Sequence, residues 1–190
     1  MSTKHLSNYA VHNDFKTDLE VKGKFAEEDF INFFYSRRKN KGKIIFDVRQ
    51  VTDYKEIDVD FVVDNLGGME LPILKEVNYH DERYIKVEAK FDGKGLTSGN
   101  LPYEMVSHSK PGWAAFSECN YLYFALCEET NNPNERFIVR KRALVDFKKW
   151  KKFLRKQNNN KMTINEDEKV VIDFLTKMDV LEREGILRYM

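Results

Sequence analysis

A mixed α/β fold, with a central β-sheet flanked by helices, is the class predicted for this chain of 190 residues. Three observations carry that reading. Two segments alternate apolar and charged residues at the strand period: Glu56-Ile57-Asp58-Val59-Asp60-Phe61-Val62-Val63 and Tyr84-Ile85-Lys86-Val87-Glu88-Ala89-Lys90. Two others repeat apolar residues at helical spacing, Phe30, Ile31 and Phe34 in one and Leu144, Phe147, Trp150 and Leu154 in the other. Finally, Asn158-Asn159-Asn160 reads as a linker, and the capping box Thr163-Ile164-Asn165-Glu166 follows it. Residues 1–157 are therefore expected to form one domain with a full core, and residues 161–190 a small C-terminal helical appendage.

The elements follow in order. Phe25 to Tyr35 is expected as the first helix, with Glu27 on its apolar stripe and Glu28 pointing outward. Strands are expected over Lys43 to Val51 and Glu56 to Asp64, then an extended hairpin whose turn residues are Asn65, Gly67 and Gly68. Tyr84 to Phe91 is the next strand. A flexible loop framed by Gly93, Gly95 and Gly99 leads to a strand over Leu101 to Val106. Pro111 suits the first turn of a short helix ending near Glu118. Asn120 to Cys127 reads as a central strand and Phe137 to Val139 as a short edge strand. The basic helix carrying the Leu144 stripe comes next. After the linker, Val170, Val171, Phe174, Leu175 and Met178 recur at helical spacing.

Composition narrows the function. No apolar run approaches the roughly 18 residues that a membrane span needs. The first residues lack an apolar secretory core, so a cytoplasmic location is expected. Cys119 and Cys127 flank one strand, a poor geometry for a disulfide, and are expected as reduced, buried thiols. The net charge of +1 conceals an uneven distribution: Arg37 to Lys43 and Arg136 to Lys156 are basic, while the stretch after Glu166 is acidic. Such a pattern is compatible with a phosphate-binding surface. His80 and His108 fall in loops with no cysteine or serine in a nucleophile setting around them, although Ser107, Ser109 and Lys110 flank His108, and the glycine pairs lack a nucleotide-loop context.

On the strand from Tyr84, Ile85, Val87 and Ala89 share one face, and Lys86, Glu88 and Lys90 the other. By itself a Glu-x-Lys pair is the ordinary dress of a solvated strand. Its context is more specific. A helix, a hairpin carrying Asp60, the Glu88-Ala89-Lys90 strand, then another strand and helix together resemble the PD-(D/E)XK nuclease superfamily. Ser98-Gly99-Asn100-Leu101-Pro102-Tyr103-Glu104, Pro111-Gly112-Trp113 and Cys119-Asn120-Tyr121-Leu122-Tyr123 are similar to a phage and bacterial branch of it, over roughly residues 20 to 145. Val59 stands where that motif has proline, and the gap between Asp60 and Glu88 is long.

The resemblance implies a restriction-endonuclease-like core and a Mg²⁺-dependent endonuclease that hydrolyses DNA phosphodiesters, with Mn²⁺ as substitute. Such an enzyme would serve phage or bacterial recombination, repair or restriction, with Holliday-junction resolution one option and a homodimer one way to cut two strands. Asp60, Glu88 and the Ala89 carbonyl would hold the metal as hard oxygen ligands. Asp58 stands as the alternative to Asp60. Lys90 would orient the attacking water or stabilise charge on the phosphate. Glu27 and Glu104 would join the catalytic set, while Ser98, Asn100, Lys148, Lys149 and Lys152 would contact nucleic acid. The competing expectation is a protein of the same fold that binds nucleic acid or a protein partner and does not cut.

Overall fold

The computed structural model describes residues 4–35, 39–40, 43–44, 47–50, 60–64, 84–107, 110–132, 134–156 and 172–190. Strand periodicity is realised where it is strongest. β3 (Asp47–Gln50), β4 (Phe61–Asp64) and β5 (Tyr84–Asp92) form an antiparallel run, reached after α1 (Lys4–Tyr35) and the two-residue strands β1 (Lys39–Asn40) and β2 (Lys43–Ile44). β8 (Tyr121–Glu129) then lies parallel to β5. A parallel neighbour demands a crossover, and residues 93–120 supply it. They carry α2 (Gly95–Ser98), β6 (Asn100–Ser107), β7 (Lys110–Pro111) and α3 (Trp113–Phe116). β9 (Phe137–Asp146) runs antiparallel to β8 and feeds directly into α4 (Phe147–Lys156). β10 (Ile172–Lys177), α5 (Met178–Arg183) and β11 (Leu187–Tyr189) complete the order.

The main sheet has strand order β11-β9-β8-β5-β4-β3, and a smaller one has order β10-β6-β7. Both faces of the main sheet are covered, which explains why β8 is buried without a break from Tyr121 to Cys127. On one face α1 sets Ala26, Phe30, Phe33 and Phe34 against Phe61, Val63, Val87 and Tyr123. Burying each such ring contributes about 1.5–3 kcal/mol, so apolar contact dominates the seating of this helix. A polar clamp fixes its rotation. Asp29 accepts hydrogen bonds from Arg142 Nε at 3.0 Å and from its terminal nitrogen at 2.7 Å, and another from the Tyr123 hydroxyl. On the other face, α3, α4, α5 and the small sheet bury Leu101, Leu122, Phe124, Phe147 and Trp150.

Several expectations are corrected. The first helix begins at Lys4, well before Phe25. Leu144 is not on the basic helix. It lies in β9, whose pairing with β8 and β11 continues to Asp146 and Val145, and it faces α1 while Phe147 and Trp150 face the opposite core. Nor is that strand short: β9 has ten residues, and β11 pairs with Ala143 to Val145 near its end, while Phe137 to Val139 pair with β8 alone among the described strands. Pro111 belongs to β7, and Gly112 precedes the helical turn. The loop after Asp92 holds the single turn α2.

The C-terminal correction is the largest. Ile172–Lys177 is a strand paired with β6, and Leu187–Tyr189 pairs with β9, so residues 172–190 are woven into both sheets and form no helical appendage. The apolar spacing there fits either period; pairing with β6 decides it. Among the described residues, no helix is long and apolar enough to cross a membrane. Cys119 and Cys127 are buried and not joined to each other in a disulfide, and burial pushes the Cys127 thiol up to about 12.

Candidate functional site

Alternation places Glu88 and Lys90 on the β5 face away from α1, because Ile85, Val87 and Ala89 pack in the α1 core. Asp60 precedes Phe61, whose ring also packs under α1, so the same alternation turns Asp60 towards the face of Glu88. The junction is specific. The Asp60 backbone N–H donates to the Val87 carbonyl at 3.1 Å, and the Asp60 carboxylate accepts the Ala89 N–H at 2.8 Å. A side chain thus takes the place of the next backbone partner at the end of β4. It satisfies an amide that would otherwise be costly to leave without an acceptor. Asp60 is thereby fixed beside the backbone unit that separates Glu88 from Lys90.

Lys90 Nζ donates to Glu88 Oε1 at 2.5 Å, with the Glu88 side chain 6% exposed and that of Lys90 21%. The ammonium also lies 5.2 Å from the centre of the Trp113 ring. Such a placement over an aromatic face is attractive in its own right. Trp113 is braced by Tyr103 at 5.7 Å and Phe147 at 5.8 Å. Gly112 sets where α3 starts: a Cβ there would stand 2.6 Å from the Glu104 carbonyl oxygen, so a side chain at this position would push the turn away from β6. Two carboxylates and one ammonium leave the cluster with one net negative charge. Their hard oxygens suit a divalent cation, with the Ala89 carbonyl on the same strand. Among the described residues, no trio of acidic, histidine or cysteine side chains gathers at one point.

The other expected site residues come from other elements. Glu27 is half-buried on α1, which covers the opposite face of the sheet from Glu88, so the helix does not bring it to this cluster. From α1 it is Asp29 that reaches into the structure. Glu104 sits in β6 opposite Asp173 of β10, whereas the neighbours of β5 are β4 and β8. Ser98 and Asn100 close on each other around Gly99 at φ 69°: Asn100 N–H donates to Ser98 Oγ at 3.1 Å, and Asn100 Nδ2 to the Ser98 carbonyl at 2.9 Å. Lys148, Lys149 and Lys152 are exposed on α4. Asp58, His80 and His108 lie outside the described residues.

Asn120, read in the sequence as a strand start and part of a motif, has a junction role that its spacing does not signal. Its Oδ1 accepts the Lys86 N–H at 2.7 Å, and its own N–H donates to the Lys86 carbonyl at 2.8 Å, which extends the β5–β8 junction. The carboxylate of Glu118 lies 3.5 Å from Lys86 Nζ. No protein-family model, curated protein or solved structure matches this chain.

Proposed function

We propose that this chain is a metal-dependent endonuclease that hydrolyses phosphodiester bonds in DNA, built on a restriction-endonuclease-like core. The observation that carries the reading is the Asp60 carboxylate on the Ala89 N–H, 2.8 Å away, between Glu88 and Lys90. Support comes also from element order: a helix, three antiparallel strands, then β8 parallel to the strand of Glu88 and Lys90. In this reading Asp60, Glu88 and the Ala89 carbonyl hold Mg²⁺, or Mn²⁺ in its place. Such a cation lowers the pKa of a bound water and polarises a phosphoryl group. Asp60 is pre-oriented by its backbone hydrogen bond, and Glu88 is shielded from bulk water by burial. Lys90, held between Glu88 and Trp113, orients the attacking water and counters the charge that builds on the phosphate.

The exposed cations of α4 contribute phosphate affinity without reading sequence. DNA processing in a phage or bacterial setting is the proposed context, with a homodimer as the assembly that would cut both strands. A binding protein that does not cut is favoured by one feature, the 2.5 Å contact between Lys90 and Glu88, which a cation would have to loosen. Incubating supercoiled plasmid and a four-way junction with the protein separates the two readings. Nicking or cutting in Mg²⁺ or Mn²⁺ that stops with EDTA supports the nuclease. Retarded but intact DNA under every metal condition supports the binder.

A further inference from the structure

We infer that the cavity between α3, α4 and the β6–β10 pair receives one unpaired nucleotide of a DNA strand, an inference that rests on the nucleic-acid reading above. The cavity measures ≈ 270 Å³. Its apolar wall comes from Tyr103, Met105, Leu154 and Phe174, and α4 adds Lys151 and Arg155; α3 forms the remaining side. Among the described residues no acidic side chain lines it. Arg155 is exposed, while Lys151 is half-buried, donates to the Ser117 carbonyl at 3.0 Å and lies 4.0 Å from the centre of the Phe147 ring. Burial pushes the Lys151 ammonium below its ordinary value, so an incoming anion would relieve it.

An aromatic wall beside two cations, with no acidic side chain among the described lining residues, calls for a ligand with a flat apolar body and a negative charge. A neutral hydrophobe would leave the cations unused, and a bare phosphate would leave the rings unused. A nucleotide uses both, with its base against the partly exposed Phe174, which Tyr103 backs from the core, and its phosphate towards Lys151 and Arg155. Proteins that hold single strands combine such stacking faces with a basic track. Here Lys148, Lys152 and Arg155, exposed at successive one-turn spacings, extend the track along α4. The cavity also adjoins the cluster around Glu88, because α3 carries both a cavity wall and Trp113, the ring beneath Lys90. Paired bases in an intact duplex cannot enter. The inference therefore assigns a substrate with unpaired nucleotides, such as a flap, a junction or a single strand.

The test is fluorescence anisotropy with a labelled single strand and a duplex of equal length, in EDTA, so that cleavage plays no part. Phe174→Leu keeps apolar packing but removes the stacking face; Arg155→Gln alters an exposed cation. Phe174→Leu should weaken single-strand binding about tenfold, within the range for loss of one stacked base, and leave duplex binding unchanged. A strand with an abasic site scanned along it should show one position of similar loss in the parent protein and no further loss in Phe174→Leu. Arg155→Gln should weaken single-strand binding and reduce its salt dependence. Unchanged single-strand affinity in Phe174→Leu, with thermal melting confirming its fold, would overturn the assignment. Binding without cleavage in Mg²⁺ would instead count against the nuclease and leave this inference standing.

Discussion

Asp60 combines a structural task with the proposed chemical one, and substitution can separate them. Asn keeps an oxygen for the Ala89 N–H, whereas Ala removes it. Asp60→Ala should therefore be about 1–2 kcal/mol less stable than Asp60→Asn in chemical denaturation, the cost of leaving that amide without its acceptor. Equal midpoints would mean that water or another backbone group replaces the carboxylate at no cost. Lys90 is the complementary case. If its ammonium acts on the reacting phosphate, Lys90→Met should keep DNA affinity and lower single-turnover cleavage by orders of magnitude. Cleavage at the parental rate would leave Lys90 as a partner of Glu88 and Trp113 and nothing more. That Asp60 shares a face with Glu88 once their strands are neighbours was legible in the sequence, because alternation fixes the face on which each residue lies. Alternation gives Asp58 the same face, however, and does not choose between the two. The brace from Trp113 was not legible, because it depends on where the crossover returns.

At the scale of elements, the parallel junction between β5 and β8 relies on a side chain. Asn120→Ala removes the acceptor of the Lys86 N–H and should cost about 1–2 kcal/mol. Hydrogen exchange at Lys86 would report it directly, and unchanged protection would show that water fills the gap. α4 gives a second prediction. Replacing Lys148, Lys149 and Lys152 by Ala should weaken duplex binding for all sequences and flatten its salt dependence, since each phosphate contact releases counterions. A salt series identical to the parent's would make α4 a solvated face. The basic character of α4 was visible in the sequence, but its start was not. The Leu144, Phe147, Trp150 and Leu154 spacing spans a strand and a helix that join without a loop, so a residue facing α1 read as part of the helical stripe. The same ambiguity misled at Phe174 and Leu175, where pairing with β6 outweighed a spacing that suits both periods.

Across the whole molecule, buried tyrosines tie stability to alkaline pH. Burial pushes Tyr103 up to about 12 from its ordinary 10.0. Tyr123 moves in the same direction, through burial first and then its bond to Asp29. A phenol whose folded pKa exceeds its unfolded one leaves stability intact below the unfolded value. That stability is lost as pH rises from about 10 to about 12, because only the unfolded chain can release the proton there. Denaturation midpoints measured from pH 8 to pH 12 should fall over this window, and less steeply in Tyr123→Phe. A flat profile would place both hydroxyls in contact with solvent. The main sheet with helices on both faces was legible from periodicity, since strands and helices were read in nearly the right order. The integration of the C-terminal segment was not, because pairing of β10 with β6 and β11 with β9 joins residues far apart in the chain.

The central claim is that Asp60 and Glu88 together hold a divalent cation. Calorimetric titration of Mn²⁺ into the parent protein, Asp60→Asn and Glu88→Gln tests it most directly, because both variants keep the shape of the side chain and lose its charge. The account predicts one binding event in the parent and its loss in both variants, with their folds intact by melting. Mn²⁺ binding of undiminished affinity in both variants would contradict it.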